Sequence, residues 1–172
     1  MIDAFDRDVK DAVVRRVRSR VGARVHPRPE AACLDWAALT VQELSRHGER
    51  CLLQAGSLYW PCAAQDDGVS PTHFGYLWEA RSATTRERLA LGLLPEIHVW
   101  AALPDRREIV DLTTRYLPQQ ARSCAGLEWT APPPPDYLWC DLGSLPDGVQ
   151  YRADLTAVGA ALYLLRRGLL AA

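Results

Sequence analysis

Cys33, His98 and Asp111 are of the types, and fall in the order, that nucleophilic chemistry requires. Cys33 stands at the head of a helical pattern, "CLDWAALTVQELSRHG", while His98 and Asp111 interrupt the two apolar runs of "PEIHVWAALPDRREIVDLTT". A plain β-hairpin needs neither polar residue. Strand side chains alternate between faces, so His98 shares a face with Trp100 and Ala102. An even-numbered turn centred on Asp105 and Arg106 pairs Ala102 with Ile109, Trp100 with Asp111 and His98 with Thr113. His98 and Asp111 then become diagonal neighbours on one face, with Cα atoms about 7–8 Å apart. An odd turn would send them to opposite faces. A carboxylate held against an imidazole fixes its tautomer and stabilises its charged form, which a general base or the partner of a thiolate needs. The plainer reading is that His98 packs on Trp100 and Asp111 opens a "DLTT" turn.

Cys33 is the nucleophile candidate because a helix N-terminus offers free N–H groups and about half a positive charge, which stabilise a thiolate. The same N–H groups can hold a developing oxyanion. No other cysteine has this setting: Cys51 and Cys140 sit in strand-like runs, Cys62 and Cys124 in loops or element ends. Five cysteines without a CxxC pair suggest neither a disulfide framework nor a zinc ribbon, so reduced thiols, no metal and no cofactor are expected.

The elements that must position these residues follow from periodicity. Apolar positions Phe5, Val9, Val13, Val14 and Val17 predict an N-terminal helix within residues 1–24, and Gly22, Pro27 and Pro29 a break after it. Leu34, Ala38, Val41 and Leu44 predict a second helix that Gly48 ends. From residue 50 the period becomes that of strands: "RCLLQAGSLYW", "HFGYLWEA", the hairpin, and "DYLWCDL" at a sheet edge after the prolines at 132–135. Residues 81–94 form a short helical or irregular excursion between the second strand and the hairpin, and a closing helix capped by Asp154 or Thr156 falls within 150–172. Helices segregated from a run of strands predict a single α+β domain over 1–172, its antiparallel sheet packed against the N-terminal helices.

Cys33 to Thr114 resembles the transglutaminase-like branch of the papain-like cysteine enzymes, in a bacterial form. The matching pieces are "CLDWAALTVQELSRHG", "LLQAGSLYW", "HVW" and "VDLTT": a helix-opening Cys, a strand His in an H-x-W pattern, and an Asp before Thr. Two departures are Leu112, where many members have Pro, and Trp36 after the cysteine instead of a Trp before it. The resemblance implies a papain-like core over 30–120, with Cys33 as nucleophile, His98 as base and Asp111 as its orienter. It also implies an acyl-enzyme formed from a peptide or protein substrate.

Four further residues are candidates for the substrate cleft. Gln54 can donate to an oxyanion, Trp60 and Trp100 can wall the cleft, and His73 is either a rival base or a lining residue. Asp35 is expected to be solvated on another side of its helix, as are the first-helix arginines Arg15, Arg16, Arg18 and Arg20, offset by aspartates at 3, 6, 8 and 11. A net charge of −1 gives no reason to expect nucleic acid or an anionic membrane as partner. The acidic N-terminus does not read as a secretory signal, and the apolar C-terminal stretch is broken by Arg166 and Arg167, so a cytoplasmic protein is expected. The alternative class is a non-catalytic peptide- or protein-binding module with the same fold, in which Cys33 is an ordinary buried thiol.

Overall fold

The computed structural model describes residues 4–22, 32–63 and 73–167. The Pro-rich break, the segment 64–72 and the last five residues, where the closing helix was expected to end, lie outside them. The element order is α1 (Ala4–Gly22), α2 (Cys33–Arg46), β1 (Leu52–Pro61), β2 (His73–Tyr76), α3 (Ala83–Ala90), β3 (His98–Leu103), β4 (Glu108–Asp111), α4 (Leu117–Ala125), β5 (Leu138–Asp141), β6 (Gln150–Ala153) and α5 (Leu155–Arg166). All strand pairs are antiparallel. The sheet runs β2-β1-β3-β4-β5, with β6 added to β1. The molecule is an α+β fold.

Alternation along β3 sorts its residues between two cores. Val99, Ala101 and Leu103 join apolar side chains of α1, α2 and α5, whereas Trp100 joins Ile109, Leu138 and the α4 residues Leu117 and Ala121. The hairpin between β3 and β4 has Ala102 opposite Ile109 and Leu103 opposite Glu108, which leaves Pro104–Arg107 as an even turn. Pro104 opens this turn and Arg107 closes it in the left-handed region (φ 56°). His98 and Asp111 therefore lie on one face.

Three features differ from the expectation. Residues 150–153 form a strand that was not expected, while the closing helix begins at Leu155 with Asp154 as its cap, as expected, the Asp154 Oδ1 accepting from the Thr156 and Ala157 amides at 2.7 and 3.2 Å. An additional helix, α4, follows the hairpin, with Pro118 in its first turn and Gly126 ending it at φ 64°. Asp35 is buried, because α2 is packed between α1 on one side and the sheet with α5 on another, which leaves little of its surface to solvent.

The first-helix arginines are partly engaged as well. Glu43 of α2 is fully buried, and it meets Arg20 Nη1 at 3.0 Å, Arg46 Nη1 at 2.5 Å and Arg16 Nη1 at 3.7 Å. Arg18 reaches Asp136 at 3.4 Å and lies over the Tyr137 ring. Glu43 thus fastens α1 to α2. Its three partners can return to water when it is removed, so Glu43→Ala is expected to cost about 1.5–3 kcal/mol, less than an ion stranded in the core would. Urea unfolding of the two proteins measures this.

Candidate active site

Both carboxylate oxygens of Asp111 are hydrogen-bonded. The residue ends β4 and is 1% exposed. Its Oδ1 accepts from the Thr113 amide (2.8 Å) and hydroxyl (2.6 Å), closing the "DLTT" turn. Its Oδ2 accepts from the Tyr151 hydroxyl (2.7 Å) and bonds the His98 Nε2, also at 2.7 Å. The turn and the imidazole bond thus use different oxygens of one carboxylate, and the two sequence readings of Asp111 hold together. Burial alone would raise its pKa, but the charge and hydrogen bond of His98, then the Thr113 and Tyr151 bonds, hold it below the usual carboxylate range.

His98 begins β3 and is 1% exposed. Two rings lie nearly parallel to its imidazole, Tyr76 at 5.4 Å (21°) and Trp100 at 6.1 Å (19°), and Tyr151 sits beside it at 6.0 Å. Trp100 in turn meets Tyr151 edge to face at 5.1 Å. These contacts fix the ring plane. Burial works against the imidazolium, but the charge of Asp111 and its hydrogen bond, with a smaller contribution from Cys33, push the His98 pKa up to about 10.

Cys33 is the first residue of α2 and 5% exposed. It shares a buried cluster with Ile97 and Val99, the two neighbours of His98 in the chain. Asp111 occupies Nε2, and Nδ1 is buried without a well-formed hydrogen bond. The Cys33 thiol is nonetheless near enough to favour the His98 proton through charge and a side-chain hydrogen bond. A nucleophile and base often stand in such a loose contact before a substrate aligns them. Burial pushes the thiol of Cys51 up to about 11 and raises those of Cys62 and Cys140.

The structure brings Cys33, His98 and Asp111 together, and treats the four cleft candidates differently. Trp100 supports the site from behind, stacked on His98 and braced against Tyr151. Gln54 lies opposite Trp100 on β1 and is partly exposed. Trp60 is buried with Phe74 and Leu58, a packing position. His73 stands apart: it is opposite Pro61, five residues along β1 from Gly56, the residue opposite His98, which is about 17 Å of strand. Alternation also turns it to the other face from Tyr76, the ring that stacks on His98.

Tyr151, absent from the sequence reading, is brought in by β6. A Cβ at Gly56 would overlap the Arg152 carbonyl oxygen, so glycine there lets β6 approach β1 closely. Tyr76 is the other residue the reading missed; its hydroxyl donates to Gln120 Oε1 at 2.7 Å while its ring covers the imidazole. The H-x-W pattern pointed to Trp100, but nothing local in "VQYRAD" marks Tyr151.

Among the described residues, no three His, Cys, Asp or Glu side chains are grouped to hold a metal ion, and no helix is long and apolar enough to cross a membrane. The chain matches no protein-family model, no curated protein and no solved structure.

Proposed function

We propose that this chain is a cysteine-dependent amide hydrolase or acyltransferase of the transglutaminase-like type, acting on a peptide or protein substrate. The observation that carries the reading is the buried His98–Asp111 pair, whose other ring nitrogen, Nδ1, is left without a well-formed hydrogen bond while a thiol at a helix N-terminus is near enough to act on the imidazole. Cys33 loses its proton to His98 Nδ1, and the sulfur attacks the substrate carbonyl carbon. As the tetrahedral intermediate collapses, the C–N bond breaks and the Nδ1 proton passes to the leaving amine. His98 then takes a proton from water or from an acceptor amine, which attacks the thioester and restores the thiol. Asp111 holds the Nε2–H throughout and balances the imidazolium charge. The amides at the start of α2 are the donors nearest the developing oxyanion. On this reading the core is papain-like, and the enzyme works in the cytoplasm.

The test is incubation of the wild type and Cys33→Ala with a denatured protein pool and a labelled primary amine, followed by mass spectrometry of the products. Cleavage, deamidation or amine incorporation that requires Cys33 is the expected outcome and also tells the three reactions apart. A second reading, a binding module without catalysis, draws on the near-complete burial of all three side chains. It predicts that peptides are retained equally by the wild type and Cys33→Ala, with no product from either.

A further inference from the structure

We infer that Tyr151 is a positioning residue that acts on His98 through Asp111, a fourth member of the site delivered by a separate strand. The inference rests on the functional reading above and extends it. Tyr151 Oη and His98 Nε2 bond the same carboxylate oxygen, Oδ2, each at 2.7 Å, while Oδ1 is occupied by Thr113. The carboxylate therefore cannot rotate about its Cβ–Cγ bond without losing all four partners. The phenol is held in its protonated, donating form, because burial and then the Asp111 charge raise its pKa well above the ordinary value. Trp100 fixes the Tyr151 ring edge to face, and the same indole stacks on His98, so the phenol and the imidazole share one wall.

A tyrosine kept only for packing needs its ring, and phenylalanine would serve as well there. What the hydroxyl adds is a donor on the oxygen that orients the base. It stabilises the ionised Asp111, and hence the ion pair that keeps Nδ1 directed at Cys33. Among the described residues, the titratable groups that act on this carboxylate or on its imidazole are His98 on β3, Tyr151 on β6, Tyr76 on β2 and, through His98, Cys33 on α2. Cys140 on β5 acts on Tyr151, while Glu96 and Cys124 act on Tyr76.

The experiment is the rate of Cys33 alkylation by iodoacetamide as a function of pH in the full chain, for the wild type, Tyr151→Phe and His98→Ala, alongside the imidazole nitrogen resonances of His98. Loss of one hydrogen bond to a charged group corresponds to about one pH unit or more. Tyr151→Phe removes one such bond from Asp111 and is therefore expected to move the acid limb of the labelling profile upward, to leave the alkaline plateau within a few-fold of wild type, and to shift the His98 Nε2 resonance. An unchanged acid limb and resonance, with a lower melting temperature alone, would overturn the inference and leave Tyr151 a structural residue. That result is separable from failure of the functional reading itself, which shows as Cys33 labelling that His98→Ala does not slow. If Tyr151→Phe does not fold, Thr113→Val provides the contrast: it removes one donor from Oδ1 and is expected to move the acid limb without moving the Nε2 resonance comparably.

Discussion

At pH 7, iodoacetamide is expected to alkylate Cys33 of the wild type faster than any buried thiol of the chain, and His98→Ala is expected to remove that advantage. The margin follows from the thiolate available at each site. Cys51, pushed up to about 11, is ionised in only about one molecule in ten thousand at pH 7. Burial disfavours the thiolates of Cys62 and Cys140 in the same direction. Cys33 alone stands at a helix N-terminus close to an imidazole held in its charged form, which favours a negative sulfur. Cys124 is exposed and has no hydrogen bond to His98, so it serves as the internal control: its rate should change much less in His98→Ala than that of Cys33. A fall of at least about tenfold at Cys33 in that variant is the expected result, because the sulfur loses the positive charge beside it. Equal rates in both proteins would remove His98 from the site, and with it the acyl-enzyme mechanism. Peptide mass spectrometry of time-resolved digests reads all five cysteines together.

Asp111→Ala is expected to have the largest effect on stability, as well as abolishing the chemistry. The substitution removes the counter-charge and hydrogen bond that hold His98 protonated, so burial drives the imidazole to its neutral form with Nε2 unpaired in a site 1% exposed, and it orphans the Tyr151 and Thr113 hydroxyls. Breaking a buried pair by removing one partner costs about 3–5 kcal/mol. Asp111→Asn keeps the shape and some of the acceptors, so it is the better variant for activity measurements, and Asp111→Ala for unfolding. The pH dependence has a definite sign. Folding raises the His98 pKa from 6.5 to about 10, so its contribution is complete below pH 6.5 and is lost as pH rises through 10. Folding lowers that of Asp111 from 3.8, so its contribution is complete above about pH 4 and is lost as pH falls through the folded value. The pair is therefore at full strength between about pH 4 and 6.5, and wild-type stability should decline from pH 6.5 to 10 more steeply than that of Asp111→Asn. Parallel slopes in calorimetry across that range would show that the pair contributes no such coupling.

Much of the candidate site was legible in the sequence because its geometry is local. The strand period is two and the connection between β3 and β4 is even, so the faces of His98 and Asp111 follow from counting. The Pro-rich break and the apolar stripe after it place Cys33 in the first or second turn of a helix, and α2 begins at that residue. Asp154 as a cap is likewise a short-range feature. The signals for α4 were also present, Pro118 near its start and Gly126 after its end, but Leu117 and Ala121 make too sparse a stripe to stand out.

What only the tertiary structure decided is the company these residues keep. Tyr151 is forty residues from Asp111 in the chain and sits on a four-residue strand with one partly buried position, so no periodicity distinguishes it. Its place depends on β6 closing against Gly56, a contact between backbones that side-chain patterns do not report. The burial of Asp35 and Glu43 has the same origin: helical spacing describes one apolar stripe, but a helix packed against α1, α5 and the sheet buries most of its surface, leaving Gln42, Ser45 and Arg46 exposed. The separation of His73 from the site is set by how far along β1 its strand pairs, a long-range register for which the chain between β1 and β2 provides no local rule. Sequence determined which side chains could form a charged relay and on which face they lie. Packing decided that the relay is buried, which aromatic rings hold it, and that a fourth residue completes it.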